Sequence, residues 1–120
     1  MVLSPEEKIF ILQQTGYDSA SHEGQIVMLT ARIQRLEQHC RHAPEDDDAR
    51  QGKWQLTTRR RNLLACLARL DSHRWQKLVG KLPLPEEEVA AVATMVAEWE
   101  REEELRRDSS LQIVLEDDLR

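Results

Sequence analysis

Apolar residues recur along this chain at helical intervals. Ile26, Leu29, Ile33, Leu36 and Cys40 are separated by 3, 4, 3 and 4 positions, which is the seam of a helix that faces other helices. The seam predicts a helix from about residue 23 to residue 42. Leu56, Leu63, Leu67 and Leu70, broadened by Leu64, stripe the next helix over about 47–71. A shorter one carries Trp75, Leu78 and Val79 and ends near Gly80. Val89, Val92, Val96 and Trp99 then mark a helix from residue 86 to about 107. At the other end, Ser4-Pro5-Glu6-Glu7 reads as an N-cap, a first-turn proline and a capping-box glutamate. They open a short helix that ends near Gly16, followed by a loop over 17–22. Residues 111–115 are too short a run to classify. The fold class predicted is all-α, a four-helix unit over residues 1–85 and an additional amphipathic helix in residues 86–120.

Charge divides the chain at the same place. The whole carries a net −5, which by itself argues against a nucleic-acid partner. Residues 1–85, however, hold 13 Lys and Arg against 10 Asp and Glu, whereas residues 86–120 hold 4 against 12. The first part is therefore net +3 and the second net −8. Residues 49–81 alone carry nine basic side chains and the single acid Asp71. The boundary lies at Pro83–Pro85, where the residue before each proline is biased out of helix. At 120 residues with 40% hydrophobic side chains, the chain can bury one modest core.

Several function classes fall away. No apolar run approaches the roughly 20 residues that span a bilayer, so no membrane partner is expected. The acidic N-terminus lacks the features of a secretory or transit peptide. Cys40 and Cys66 are too few for a disulfide scaffold. His39, Cys40, His42, Cys66 and His73 do not form the paired short spacings that zinc requires, and Asp46, Asp47 and Asp48 lack a calcium-loop spacing. With no P-loop, nucleophile elbow or glycine-rich phosphate cradle, neither catalysis nor a metal or cofactor is expected.

The helix surfaces carry more information. Gln25, Arg32 and His39 recur every seven residues and share a face beside the apolar seam. Arg59, Asn62, Cys66 and Arg69 follow spacings of 3, 4 and 3 on the next helix. Arg59, Arg60 and Arg61 together sweep about 200° of that helix, so at least one must be solvated or bridge to another helix. Arginines neutralise phosphates, while His, Asn and Gln can bond base edges or 2′-hydroxyls in a shallow minor groove. Such a helical pair suits RNA; a salt-bridged surface is the plainer alternative.

Residues 18–85 resemble, in order and spacing, the bacterial-type family of ribosomal small-subunit protein fifteen. The matching positions are Gln25-Ile26, Leu29-Thr30, Arg32-Ile33, Leu36, His39, Asp46, Arg50 and Gly52, then Arg59-Arg60-Arg61, Leu63-Leu64 and Leu67. Asp71, Arg74-Trp75 and Lys77-Leu78-Val79 continue the match, with Trp75 where the family usually has Tyr. The resemblance implies a four-helix protein that grips a three-way junction in the central domain of small-subunit ribosomal RNA and supports assembly. It implies junction contacts from Ser19 (Thr in the family), Gln25, Arg32 and Arg69, and a minor-groove contact from His39 and Asp46. The Ser that the family places at position 49 is Ala here, its Gly at 20 is Ala, and its junction-stacking Tyr at 66 is Cys.

The family's usual chain stops near residue 84, so the acidic extension has no counterpart in it. Val89, Val92, Val96 and Trp99 are expected to meet a neighbouring ribosomal protein, or to fold back onto the four-helix core. An acidic extension and lost RNA contacts suggest an organellar ribosome, mitochondrial first and plastid second, with a bacterial cytoplasm as the alternative. The competing function is a helical protein–protein adaptor that has lost RNA binding. Against it stands the basic block 49–81, for which an adaptor has no use.

Overall fold

The computed structural model describes residues 3–118, with side-chain surroundings through residue 109. Its helices are α1 (Pro5–Thr15), α2 (His22–His42), α3 (Asp47–Leu70), α4 (Ser72–Lys81) and α5 (Glu86–Asp118). Their ends are set by capping residues close in sequence. Ser4 caps α1 by accepting the Glu7 N–H at 3.2 Å, and Gly16 closes it in the left-handed conformation, φ 74°, which costs glycine no steric penalty. Ser21 accepts the Gly24 N–H and Asp46 the Ala49 N–H. Asp71 ends α3 and starts α4 by accepting N–H groups from His73 and Arg74, so a single residue sets the corner between them.

The α2–α3 pair is the frame. Ile26, Leu29, Ile33 and Leu36 are buried as the seam predicts, and Ile26 clusters with Leu64 and Leu67 of α3. Leu78 of α4 closes one end. Leu70 departs from its stripe: it is 63% exposed because it is the last residue of α3, with the Asp71 corner directly behind it.

The extension is the larger surprise. Val92 is fully buried in the same cluster as Ile26, Leu64 and Leu78, and Val96 and Trp99 pack against it. Val89 is half-buried on the same helix. Of the two outcomes expected for this stripe, the structure shows the second: Val92, Val96 and Trp99 fold back onto the chain's own core. Val92 and Glu88 are one helical turn apart, and Glu88 meets Arg60 of α3 in the interior, so α5 is held by both an apolar and an ionic contact. The charge boundary at Pro83–Pro85 is crossed by the core. The helix also outruns its predicted end at about residue 107, continuing to Asp118, because no glycine or proline follows Pro85 to stop it.

Candidate RNA-binding surface

Two grooves run along the face shared by α2 and α3. The first, about 460 Å³, is lined by Ser19, Gln25, Arg32 and Arg59, with Leu3 and Lys8 at its rim. The second, about 370 Å³, is lined by Arg32, Leu36, Asp46, Ala49, Gly52 and Gln55 among others. Arg32 belongs to both and joins them into one surface. Its Nε is buried with no hydrogen-bond partner, as are Arg61 Nε and Trp75 Nε1, and of these three residues Arg32 is the one that lines both grooves.

The seven-residue repeat on α2 brings Gln25, Arg32 and His39 into line, as helical geometry requires. Gln25 donates through Nε2 to the Ala20 carbonyl at 3.3 Å, tying the loop before α2 to its first turn. Ser19 lies exposed on that loop. At the far end His39 Nε2 and Asp46 Oδ2 are 2.8 Å apart, while the other oxygen of Asp46 caps α3. The hydrogen bond from His39, followed by that from the Ala49 N–H, holds the Asp46 carboxyl below its ordinary value. Ala49 is buried, and it brings no hydroxyl to this pair.

On α3, Arg59 and Asn62 are exposed beside Cys66 on one face. Arg60 is buried and bridges to α5, so the bridging member of the arginine triplet is the middle one. Arg69 departs from its neighbours. Its guanidinium lies 5.3 Å from the centre of the Trp99 ring and pairs with Glu103, both on α5. The structure thus gathers Ser19, Gln25, Arg32 and Arg59 around one groove and sets His39 and Asp46 beside the second. Asn62 stands on the adjoining surface and Arg69 beneath the extension. Lys8 is a groove residue that sequence reasoning missed, since nothing in its spacing says how α1 docks.

A helical frame presenting arginine, amide and histidine side chains along connected grooves is the kind of surface with which helical structural proteins meet RNA. Comparison with known proteins narrows this. The family model described as ribosomal protein S15 matches residues 4–85. The chain is similar to the small ribosomal subunit protein uS15 of Oleidesulfovibrio alaskensis, with 39% identity over 87 residues, 70% of this chain and 98% of that one. That of Mycolicibacterium smegmatis gives the same identity and coverage. The Gloeothece citriformis protein is 39% identical over 77 residues, 64% of this chain and 86% of its own length. The chain belongs to the ribosomal protein S15 family, whose members are structural and non-enzymatic components of the small ribosomal subunit. These relatives are bacterial, which favours the bacterial alternative over the organellar setting expected from the acidic extension. The matched region stops at residue 85, three residues before Glu88.

Proposed function

We propose that the joined α2–α3 grooves bind a three-way junction in the central domain of small-subunit ribosomal RNA, and that this contact supports subunit assembly and translation. Ser19, Gln25, Arg32 and Arg59 are assigned to the junction, with Asn62 and Arg69 extending the same surface along α3. His39 and Asp46 are assigned to a minor-groove contact further along. The observation that carries the reading is the unpartnered Nε of Arg32 at the meeting of the two grooves. A phosphate or base-edge oxygen entering there would satisfy it and release counterions. The four-helix unit over residues 1–85 holds this surface, and the acidic residues 86–120 add a fifth helix that packs on the same core. Neighbouring ribosomal proteins would reach the extension through the part of α5 beyond Trp99, since Val92, Val96 and Trp99 pack on the chain's own core.

The direct test is binding of the full chain to a junction RNA over a salt series. Arg32→Ala is expected to weaken binding about five- to tenfold and to lower the salt slope by about one phosphate contact. Unchanged affinity and slope would overturn the assignment of this face. Co-sedimentation of the native protein with small subunits at high salt checks the wider reading; recovery only at the top of the gradient would defeat it.

A further inference from the structure

The face of α3 that bears Arg59, Asn62 and Cys66 ends at Arg69, and there the chain's own extension intervenes. Trp99 lies against the Arg69 guanidinium, at 5.3 Å from the ring centre, and Glu103 accepts a hydrogen bond from its Nη2. Glu103 is also 3.8 Å from Arg107, so it bridges cations on both sides. This contact is not an accident of two long side chains meeting in solvent. Val92, Val96, Trp99 and Glu103 follow spacings of 4, 3 and 4 on α5, one continuous face. Val92 is buried in the core and the Arg60–Glu88 pair anchors the turn before it. The packing that seats the helix also delivers Glu103 to Arg69.

An N–H that donates to a carboxylate cannot donate to a phosphate at the same time. Arg69 and Glu103 nevertheless keep 36% and 41% of their side chains exposed, so water and a competing anion can reach the pair. We propose that α5 is an intramolecular gate on the RNA-binding surface, with Glu103 standing in for a phosphate on Arg69 until RNA displaces it. The proposal rests on the reading that this face of α3 meets RNA. Its consequence is selectivity. An RNA that offers phosphates alone must compete with a carboxylate tethered to the same chain, at an effective concentration on the order of millimolar. A junction that also engages Arg32, Gln25 and Arg59 has other contacts with which to open the gate.

Anisotropy titrations of the full-length chain test this with a junction RNA and with an unrelated duplex of equal length. Glu103→Gln is expected to raise affinity about two- to fivefold, the range set by an exposed ion pair, and to raise it more for the unrelated duplex. Glu102→Gln is the control. Glu102 pairs with Arg106 at 3.6 Å rather than with Arg69, and its removal from the same helix deletes the same charge. It is expected to change affinity less than about 1.5-fold, as suits charge screened by salt. Combined with Arg69→Ala, Glu103→Gln is expected to lose its effect. Equal gains from both glutamines, a gain that survives in the Arg69→Ala background, or a loss of affinity in Glu103→Gln would each overturn the gate. If Arg69→Ala binds as wild type while Arg32→Ala binds weakly, the gate fails and the groove assignment stands. If neither arginine matters, the RNA-binding face itself is wrongly placed.

Discussion

Arg60 and Glu88 meet in the interior through two parallel hydrogen bonds, Nε to Oε1 at 2.8 Å and Nη2 to Oε2 at 2.5 Å. Arg60 is 4% exposed and Glu88 1%, and Nη1 of Arg60 reaches the Thr30 hydroxyl at 3.3 Å. One guanidinium thus joins α2, α3 and α5. Desolvating two charges is costly, and a buried pair is therefore weak evidence of net stabilisation. Removing one partner is a different matter, because it strands the other.

Glu88→Ala is expected to destabilise the chain by about 3–5 kcal/mol, the usual cost of an unpaired buried charge. The double change Arg60→Met with Glu88→Leu should recover most of that loss. Urea denaturation of the single and double variants gives the comparison; a single variant as stable as wild type would mean that the pair opens to water. Ending the chain after Pro85 removes Glu88 and Val92 together, so the shortened chain is expected to be less stable than the full one. The extension is appended in sequence and integral in packing.

How much of this was legible beforehand varies by level. The cap at Ser4, the end of α1 near Gly16 and the seam from Ile26 to Leu36 depend on residues close in sequence, and they read directly. The 200° sweep of Arg59, Arg60 and Arg61 required one of them to bridge or face solvent, but its spacing could not choose the middle one. That choice depends on Glu88, which in sequence is one of three first-turn acids favourable to the helix dipole. Gln25 and Arg32 on one face of α2, and Arg59 on one face of α3, could be placed from periodicity, and the structure brings the three to one groove. The covering of Arg69 could not, because it depends on how α5 docks across more than 30 residues of separation.

Glu23 at the start of α2 supplies a pH-dependent tie. Both of its oxygens accept from Arg74 of α4, at 2.5 and 2.9 Å. The Arg74 hydrogen bond holds its carboxyl below the ordinary 4.5 against an opposing penalty from burial. A depressed folded value means that the stabilisation is complete above about pH 4.5 and is lost as pH falls through the lower folded value. Glu23→Gln is expected to be less stable by about 1 kcal/mol at neutral pH, a charged hydrogen bond discounted for the exposed side of Arg74. The gap should narrow toward pH 3. Thermal unfolding of both proteins across that range checks the sign, and a constant gap would refute it.

Gly24 is needed for close approach. A Cβ on it would stand 2.0 Å from the Asp18 carbonyl oxygen and 3.0 Å from its carbon, and backbone has no rotamer with which to yield. Gly24→Ala must therefore push the 18–21 loop away from α2, taking Ser19 with it. The expected cost is about 1–3 kcal/mol, accompanied by weaker binding to a junction RNA. Gly80→Ala meets nothing within 4 Å and should be neutral or slightly stabilising, as alanine is in a helix. Denaturation midpoints of the two variants should separate in opposite directions.

The two ends of the proposed RNA-binding surface should not contribute equally. Arg32 brings an unpartnered Nε to the meeting of both grooves, so its deletion removes a charge that no partner within the protein holds at that atom. His39 is already engaged with Asp46 at 2.8 Å, and Ala49 supplies no hydroxyl beside it. His39→Ala leaves Asp46 with its capping bond from Ala49, so α3 keeps its first turn. The variant is expected to fold normally and to lose about threefold in affinity for a junction RNA, against the five- to tenfold of Arg32→Ala, since an interaction already satisfied within the protein offers little net gain to a ligand. Restoring a hydroxyl through Ala49→Ser tests the same point from the other side. Position 49 is 5% exposed, so an added oxygen is within reach of the Asp46 carboxylate but poorly placed for RNA unless the second groove widens. Parallel titrations of the three variants decide the order, and a His39→Ala loss exceeding that of Arg32→Ala would move the principal contact to the second groove.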